Sequence, residues 1–247
     1  SAAIFIDDNQ MERDEVSKNS DIFVSDIGNK VENFRKIIDR NNFFELVQIT
    51  PEDIKRPDSI RASIESNKTI ENYSNYNEYL KSLEMKAEIK KVDNFSKDRF
   101  IQLINKTNQF NLTLEKINFN NFSDNDTLAM TASLTDKFSD HGIVSAIYGK
   151  IKSNNEVDIN VWVMSCRVFK RTLEYATFHK FFLFCKKLEI KKINGFYKKS
   201  DRNMIVENLY KELKFKEIKK TNNYSEWTLD MNENVDFLKN KIMINYE

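Results

Sequence analysis

The segment Glu156–Met164 constrains the fold more than any other part of the chain. β-Branched apolar residues occupy every second position, namely Val157, Ile159, Val161 and Val163. Such strict alternation is the period of a β-strand and not of a helix. The polar connection Ser153-Asn154-Asn155 separates this strand from the apolar run Ile143–Lys152. A short polar connection between two such runs predicts an antiparallel hairpin within a sheet.

Further strands and helices are expected on both sides of this hairpin. The predicted strands are Met85–Val92, Thr127–Leu134, Glu189–Tyr197, Lys214–Lys219 and Glu226–Asp230. The predicted helices are Lys97–Lys106, Arg171–Lys187 and Arg202–Glu212. The chain therefore runs through a strand, a helix, three meandering strands, a helix, a strand, a helix and two strands. This order indicates a sheet that is covered by helices.

The beginning of the chain has a shorter pattern of a different kind. Two short strands, Ala3–Ile6 and Asp21–Val24, alternate with helices at Met11–Lys18 and Asn29–Arg40, which predicts parallel α/β construction. Because two such strands and helices do not bury both faces of a parallel sheet, we expect residues 1–62 to be the end of a domain that begins earlier. Residues 63–83 are expected to form a linker helix, and residues 84–247 the sheet domain described above.

The composition excludes several classes of function. Basic and acidic side chains nearly balance, 39 against 38, for a net charge of +1. We therefore expect no nucleic-acid partner and no anionic membrane surface. Apolar runs such as Phe181–Cys185 are far too short to span a bilayer. Two cysteines do not form a disulfide framework, so a reducing, cytoplasmic location is expected.

A dense polar segment follows the predicted helix Lys97–Lys106. Between positions 105 and 111, every residue except Phe110 carries an amide, hydroxyl or charged group. Caps at a helix end use one or two such groups. We therefore expect the segment to bind a substrate through Asn105, Lys106, Thr107, Asn108, Gln109 and Asn111.

Cys166 is the candidate nucleophile. Continuing the hairpin pairing from its connection places Cys166 opposite Gly142, next to His141 and Asp140. A thiolate that His141 activates, near Arg167 and the start of the next helix, is a competent acyl acceptor. The alternative is that Cys166 is a small buried apolar residue. Cys185, which lies in an apolar run, is expected to be core.

Four motifs, in order along the chain, resemble the FkbH-like family. Gln102–Leu112 (QLINKTNQFNL) carries the most specific resemblance. Ile4–Arg13 (IFIDDNQMER) is similar to the last motif of the family's HAD-type phosphatase domain, and Phe44–Arg56 (FELVQITPEDIKR) to the end of that domain. Val161–Arg171 (VWVMSCRVFKR) resembles a further family segment. Together the resemblance covers nearly the whole chain.

The resemblance implies a fold and an activity. The fold would be the remnant of a HAD-type parallel α/β domain, followed by a GNAT-like mixed-sheet acyltransferase domain. Family members are similar to glyceryl transferase/phosphatases, which move a glyceryl unit from 1,3-bisphosphoglycerate to the phosphopantetheine thiol of an acyl carrier protein. The polar segment would then bind substrate or pantetheine. Asp7 and Asp8 match a Mg²⁺ motif that the complete phosphatase domain would use.

Two departures from the family leave alternatives open. The Asp-x-Asp nucleophile motif of a HAD phosphatase is absent, so we expect this chain alone to lack phosphatase activity and a specific Mg²⁺ site. Lys170 and Thr172 stand where glycines would let backbone amides approach a pyrophosphate. Lys170 and Arg171 would then bind phosphate through their side chains. A coenzyme-A-dependent N-acetyltransferase and a non-catalytic docking module for a carrier protein are the alternative functions.

Overall fold

The computed structural model describes residues 4–28, 30–41, 51–117, 126–233 and 242–245. The chain divides into two compact units, residues 1–49 and residues 50–247. Within the described ranges, every helix is too short or too polar to cross a membrane.

The first unit contains a small parallel pair of strands. Its elements are β1 (Ile4–Phe5), α1 (Gln10–Asn19), β2 (Phe23–Val24) and α2 (Val31–Arg40). β1 and β2 pair in parallel, which confirms the predicted parallel arrangement of this region. The Asn9 side chain accepts a hydrogen bond from the Met11 amide at 3.0 Å and so caps α1. The first part of the motif Phe44–Arg56, up to position 50, lies outside the described residues.

The second unit is built from helices around one large sheet. Its helices are α3 (Pro51–Lys68), α4 (Tyr76–Ser82), α5 (Lys97–Lys106), α6 (Leu173–Lys187) and α7 (Leu209–Glu212). Its strands are β3 (Lys86–Lys91), β4 (Phe110–Asn111), β5 (Thr127–Thr135), β6 (Asp140–Ile151), β7 (Glu156–Met164), β8 (Lys192–Lys198), β9 (Lys216–Lys220), β10 (Tyr224–Asp230) and β11 (Met243–Asn245). Residues 63–83 were expected to form a linker helix, but they are not one helix, because α3 ends at Lys68 and α4 begins at Tyr76.

The sheet is mixed and its strand order is β11-β3-β5-β6-β7-β8-β10-β9. The strands from β3 to β7 pair in antiparallel fashion, β7 and β8 pair in parallel, and β8, β10 and β9 are again antiparallel. The short strand β4 pairs with β7 outside this path. Apart from the additional strands β4 and β11, the order of elements along the chain matches the layout predicted from the sequence, and the domain has a mixed sheet covered by helices.

β7 is central in the sheet, and helices cover both of its faces. On one face, Trp162 stacks on Phe178 of α6, with ring centroids 5.9 Å apart. On the other face, Val161 and Val163 belong to the cluster that also contains Phe100 of α5. The alternating pattern of Glu156–Met164 therefore reflects a strand whose large residues are buried on both sides.

Several predicted element boundaries are wrong, among them the start of β8 at Lys192 and not at Glu189, and three differences are described here. α6 begins at Leu173 and not at Arg171, because Thr172 has a φ of 64° and lies outside the helical region. β6 begins at Asp140 and so includes residues that were predicted to precede the strand. The predicted helix Arg202–Glu212 is broken into a 3-10 turn at Met204–Val206 and the single turn α7.

Candidate functional site

Cys166 lies in an exposed turn directly after β7. The strand ends at Met164, and Cys166 begins a 3-10 turn that ends at Val168. The Cys166 side chain is exposed, whereas Cys185 is buried in α6. Burial raises the pKa of the Cys185 thiol far above its usual value. Of the two thiols, only that of Cys166 is accessible for chemistry in this arrangement.

The predicted position of Cys166 relative to β6 is wrong by one residue. Near the hairpin connection, Ile151 pairs with Val157, as the prediction requires. A bulge between Tyr148 and Gly149 then shifts the register by one, so that Ser145 pairs with Met164. The hairpin pairing does not continue to Gly142, because β7 has ended before that level.

The His141 imidazole is buried and bonded at both ring nitrogens. Its Nδ1 atom lies 2.6 Å from the Ser59 hydroxyl of α3, and its Nε2 atom lies 3.0 Å from a carboxylate oxygen of Asp136. In the neutral ring, Nε2–H donates to Asp136 and Nδ1 accepts from Ser59. Cys166 is not a hydrogen-bond partner of His141 among the described residues. Activation of the thiol by His141 stays a prediction.

Asp136 also pairs with Arg171, which completes a buried polar network of Ser59, Asp136, His141 and Arg171. The Asp136 carboxylate accepts from the Arg171 guanidinium, and both side chains are almost fully buried. Burial raises the pKa of Asp136, but the hydrogen bond from His141 and the charge of Arg171 outweigh it, so its pKa lies well below the usual value. The Arg171 guanidinium is thereby held inside the protein, although it was predicted to bind substrate.

Asp140 lies on the surface, apart from this network. Its carboxylate accepts from the Gly142 amide at 2.9 Å and from the Lys55 ammonium at 3.2 Å. Gly142 has a φ of 62°, which a glycine adopts without strain. The hydrogen bond from the Gly142 amide and the charge of Lys55 outweigh partial burial and lower the pKa of Asp140. Asp140 lines a groove of about 590 Å³ over β3 and β5.

The loop between Cys166 and α6 has an unusual backbone. Lys170 has a φ of 63° and Thr172 a φ of 64°, both in the left-handed region that favours glycine. These are the two positions at which glycines would let backbone amides approach a pyrophosphate. The chain therefore keeps a glycine-like backbone there with larger side chains. That backbone is held by the Tyr76 hydroxyl, which donates to the Lys170 carbonyl at 2.8 Å, and by Ser63, which donates to the Arg167 carbonyl at 3.3 Å.

Part of the polar segment 105–111 holds the fold together. The Asn105 amide bonds both backbone groups of Ile117, donating to the carbonyl at 3.0 Å and accepting from the amide at 3.2 Å. Asn111 is fully buried. Its side chain donates to the Thr107 carbonyl and accepts from the amides of Thr113 and Leu114. The side chains of Asn105 and Asn111 therefore bond to the backbone and hold the fold together, although both were predicted to bind substrate.

Asn108 and Gln109 differ from Asn105 and Asn111. Both are exposed, as Asn105 and Lys106 are, but unlike Asn105 neither side chain has a hydrogen bond to a described residue. β4 and β7 run antiparallel, with Phe110 opposite Met164. Gln109 and Asn108 therefore leave β4 at the same end at which the chain leaves β7 toward Cys166. We call Asn108, Gln109 and Cys166 the thiol end.

A ring contact supports this placement of the polar segment beside the Cys166 turn. The rings of Phe110 and Phe169 lie 6.1 Å apart between centroids, so the loop after Cys166 packs on the start of β4. The structure thus brings together two groups of predicted site residues that are far apart in sequence. It places the third group, His141 and Arg171, in the buried polar network.

Asp7 and Asp8 follow β1 in the first unit. Asp7 accepts from the Asn9 amide at 2.8 Å, and the backbone carbonyls of both aspartates accept from Arg13. Within the described part of the chain, no three His, Cys, Asp or Glu side chains are grouped to hold a metal ion. Two carboxylates alone do not make the near-octahedral oxygen set that Mg²⁺ requires.

Sequence reasoning missed three residues that shape this region: Ser59, Asp136 and Asn203. Asp136 carries a usable signal, since it lies five residues before His141 across a predicted strand connection. Ser59 and Asn203 carry no such signal, because their partners are 82 and 92 positions away in the chain.

Comparison with known proteins gives structural likenesses only. No family model matches the sequence, and no curated protein matches it. The ribosomal-protein-S18-alanine N-acetyltransferase of Escherichia coli aligns with a TM-score of 0.47 at 11% identity, over 60% of this chain and 96% of that chain. A GNAT-family acetyltransferase of Staphylococcus aureus aligns at 0.45 and 15% identity, over 59% and 99%.

A third likeness is to the spermidine/spermine N-acetyltransferase of Vibrio cholerae, with a TM-score of 0.44 at 11% identity, over 62% of this chain and 95% of that chain. At these scores and identities, the description of the fold rests on the strand order and pairing given above.

Proposed function

We propose that this chain transfers an acyl group and that Cys166 carries it as a thioester. The observation that supports the proposal most directly is the exposed thiol of Cys166 at the end of a central strand, beside the exposed amides of Asn108 and Gln109. Acyl transfer through a thioester needs an accessible sulfur and polar groups that orient the acyl donor. We propose that Asn108 and Gln109 supply the polar groups that orient the acyl donor.

The resemblance to the FkbH-like family supplies the donor and the acceptor. The donor is 1,3-bisphosphoglycerate and the acceptor is the phosphopantetheine thiol of an acyl carrier protein. The Cys166 thiolate attacks the acyl-phosphate carbonyl, a carbon–sulfur bond forms, and phosphate leaves with the electrons of the carbon–oxygen bond. The carrier thiolate then attacks the thioester, and Cys166 leaves as a thiolate. Removal of the remaining phosphate from the glyceryl unit needs a complete HAD-type domain, of which residues 1–62 are the proposed end.

Basic groups near the thiol fit phosphate-bearing reactants. Lys170 is exposed at the turn before α6, and Arg167 follows Cys166 directly. We propose that these two side chains bind phosphate, either of the donor or of the phosphopantetheine arm. Arg171 has no part in this contact, since Asp136 holds it.

Intact-mass analysis tests the covalent step. The chain is mixed with 1,3-bisphosphoglycerate and Mg²⁺ and is expected to gain a phosphoglyceryl adduct on Cys166, which keeps its phosphate because the chain has no complete phosphatase domain. The adduct should be absent in Cys166→Ser and present in Cys185→Ala, which removes the buried thiol instead. An adduct of equal yield in Cys166→Ser would rule out the thioester.

A coenzyme-A-dependent N-acetyltransferase is the second candidate. The left-handed backbone at Lys170 and Thr172, at the start of the 15-residue helix α6, favours it. This backbone presents amides in the way that anion sites at helix N-termini do. Saturable binding of acetyl-coenzyme A, with transfer of acetyl to an amine and no adduct on Cys166, would establish this candidate in place of the first.

A further inference from the structure

The parallel strands β7 and β8 pair over only part of their length. Their register runs from Glu156 opposite Lys192 to Ile159 opposite Gly195 and goes no further. Beyond Gly195 the two strands separate and leave a crevice toward their carboxyl ends. Crevices of this kind, at the carboxyl ends of parallel strands, are where open α/β sheets bind ligands.

In this chain the crevice is filled by the chain itself. Phe110 and Asn111 pair with Met164 and Val163 of β7. The Leu112 amide then donates to the Trp162 carbonyl at 3.3 Å. We call Phe110–Thr113 the strand plug.

The strand plug is bonded to both walls of the crevice. Toward β8, the Leu112 carbonyl accepts from the Lys198 amide at 2.8 Å. Toward β7, the Thr113 hydroxyl donates to the Asn160 carbonyl at 2.6 Å. The backbone groups of Asn160, Trp162 and Lys198 that face the crevice are thereby used.

A buried asparagine fastens the plug from the β8 side. Asn203 is fully buried, and its amide donates to the carbonyls of Asn111 and Lys198, both at 2.8 Å. Its carbonyl oxygen accepts from the amide and hydroxyl of Ser200. The Asn203 amide nitrogen therefore joins the plug to β8, and its carbonyl oxygen holds the turn at Ser200.

We infer that the strand plug keeps pantetheine out of this crevice, so that coenzyme A does not bind there and the thiol of a carrier-bound pantetheine meets Cys166 from outside the crevice. Pantetheine carries two secondary amides, so it would bind an open crevice as an added strand, through the backbone groups of the walls. Those groups are already bonded to the plug. Coenzyme A would have to displace the strand plug. Its apparent affinity is therefore its affinity for the open crevice multiplied by the fraction of molecules in which the crevice is open.

The inference deepens the proposed function, on which it rests for the acyl-transfer role. It also gives the polar motif Gln102–Leu112 a physical role. Its last residues, Phe110–Leu112, fill the crevice in the sheet, while Asn108 and Gln109 remain outside the crevice beside Cys166.

Calorimetric titration of the full chain with coenzyme A tests the inference. The wild-type chain is expected to bind with a dissociation constant weaker than about 1 mM. Thr113→Val removes the bond to Asn160 at nearly constant shape, and Asn203→Ala removes both bonds that fasten the plug. Each should tighten binding by about tenfold or more, because each raises the open fraction. Thr221→Val, which removes a hydroxyl bond in an exposed turn, is the matched control and should leave binding unchanged.

Two results would overturn the inference. One is micromolar binding of coenzyme A to the wild-type chain. The other is binding to Thr113→Val or Asn203→Ala that is no tighter than wild type, in a variant whose near-ultraviolet circular dichroism shows intact packing. If Asn203→Ala does not fold, Thr113→Val decides alone. The adduct experiment on Cys166 is independent of these titrations, so a missing adduct would refute the proposed function and leave the closed crevice standing.

Discussion

The buried polar network and the thiol end each take one residue from the loop between β7 and α6, yet they differ in burial and in hydrogen bonding. Arg171 and Cys166 are five positions apart, and sequence analysis assigned both to the site. Arg171 is nearly fully buried and pairs with Asp136, whereas Cys166 is exposed. Polarity near a motif therefore does not distinguish a side chain that holds the loop in place from a side chain that is available to a substrate. Burial and the number of committed hydrogen bonds do.

The largest expected effect is on stability, from removing the charge of Asp136. Asp136→Asn keeps the shape of the side chain but leaves the Arg171 guanidinium buried without its counterion. We expect a loss of about 3 kcal/mol in the free energy of unfolding, or a melting temperature lower by about 10 °C. Thermal denaturation followed by circular dichroism measures it.

Asp140→Asn is the matched control for that experiment. Asp140 is exposed and its ion pair with Lys55 lies at the surface, so the substitution should cost less than about 1 kcal/mol. Equal losses in the two variants would mean that the network contributes no more than a surface ion pair does.

Thiol reactivity gives the next largest effect. Cys166 is accessible in the folded state, but Cys185 reacts only when α6 opens locally, and its raised pKa disfavours the thiolate. We expect iodoacetamide at neutral pH to alkylate Cys166 about 100-fold faster, or more, which corresponds to an opening free energy of about 2.7 kcal/mol. Peptide mass analysis over time separates the two rates. Comparable slow rates of the two thiols would mean that Cys166, like the buried polar network, has a structural role.

The two kinds of asparagine in the polar segment provide a sharper test within one motif. Asn111→Ala should destabilise the chain by about 2 kcal/mol, because backbone amides and a carbonyl in a buried turn lose their partner. Asn108→Ala should change stability by less than about 0.5 kcal/mol and should reduce glyceryl transfer. Chemical denaturation and the adduct yield are the two measurements. A large loss of stability with normal transfer in Asn108→Ala would show that the whole segment is structural.

The sequence predicted the elements whose pattern is local and missed those that depend on distant partners. α5 and β7 have the predicted bounds because their apolar periods are long and regular. β4 was missed because two polar-flanked residues show no period, and it exists only because β7 and β8 offer it backbone partners. The helix expected at Arg202–Glu212 is broken where Asn203 turns its side chain to the strand plug.

The same distinction applies to the site. Cys166, Asn108 and Gln109 were identified from residue type and motif, and the structure leaves them exposed. Asp136 was not identified, although it lies five residues before His141, because its second partner Arg171 lies 35 positions away. The proposed substrate rests on the resemblance of the sequence motifs alone, because neither periodicity nor burial identifies a substrate.

The smallest effect tests whether the two regions are coupled. Ser59→Ala removes the hydroxyl that lies 2.6 Å from His141 Nδ1 and should cost about 1 kcal/mol. It leaves the Asp136–His141 and Asp136–Arg171 contacts in place. If the network serves only to hold the loop, the alkylation rate of Cys166 should stay within about twofold of wild type, because a change of about 1.4 kcal/mol in thiolate stability would be needed for a tenfold change in rate.

If His141 activates the thiol, loss of its Ser59 partner changes the basicity of the ring, and the pH profile of Cys166 alkylation shifts together with stability. Ser63→Ala, which removes a bond from the same helix to the Arg167 carbonyl, is the control for a general loosening of the turn. If the pH profile of Cys166 alkylation shifts in Ser59→Ala but not in Ser63→Ala, the buried polar network affects the reactivity of the thiol, and the two regions are not functionally separate.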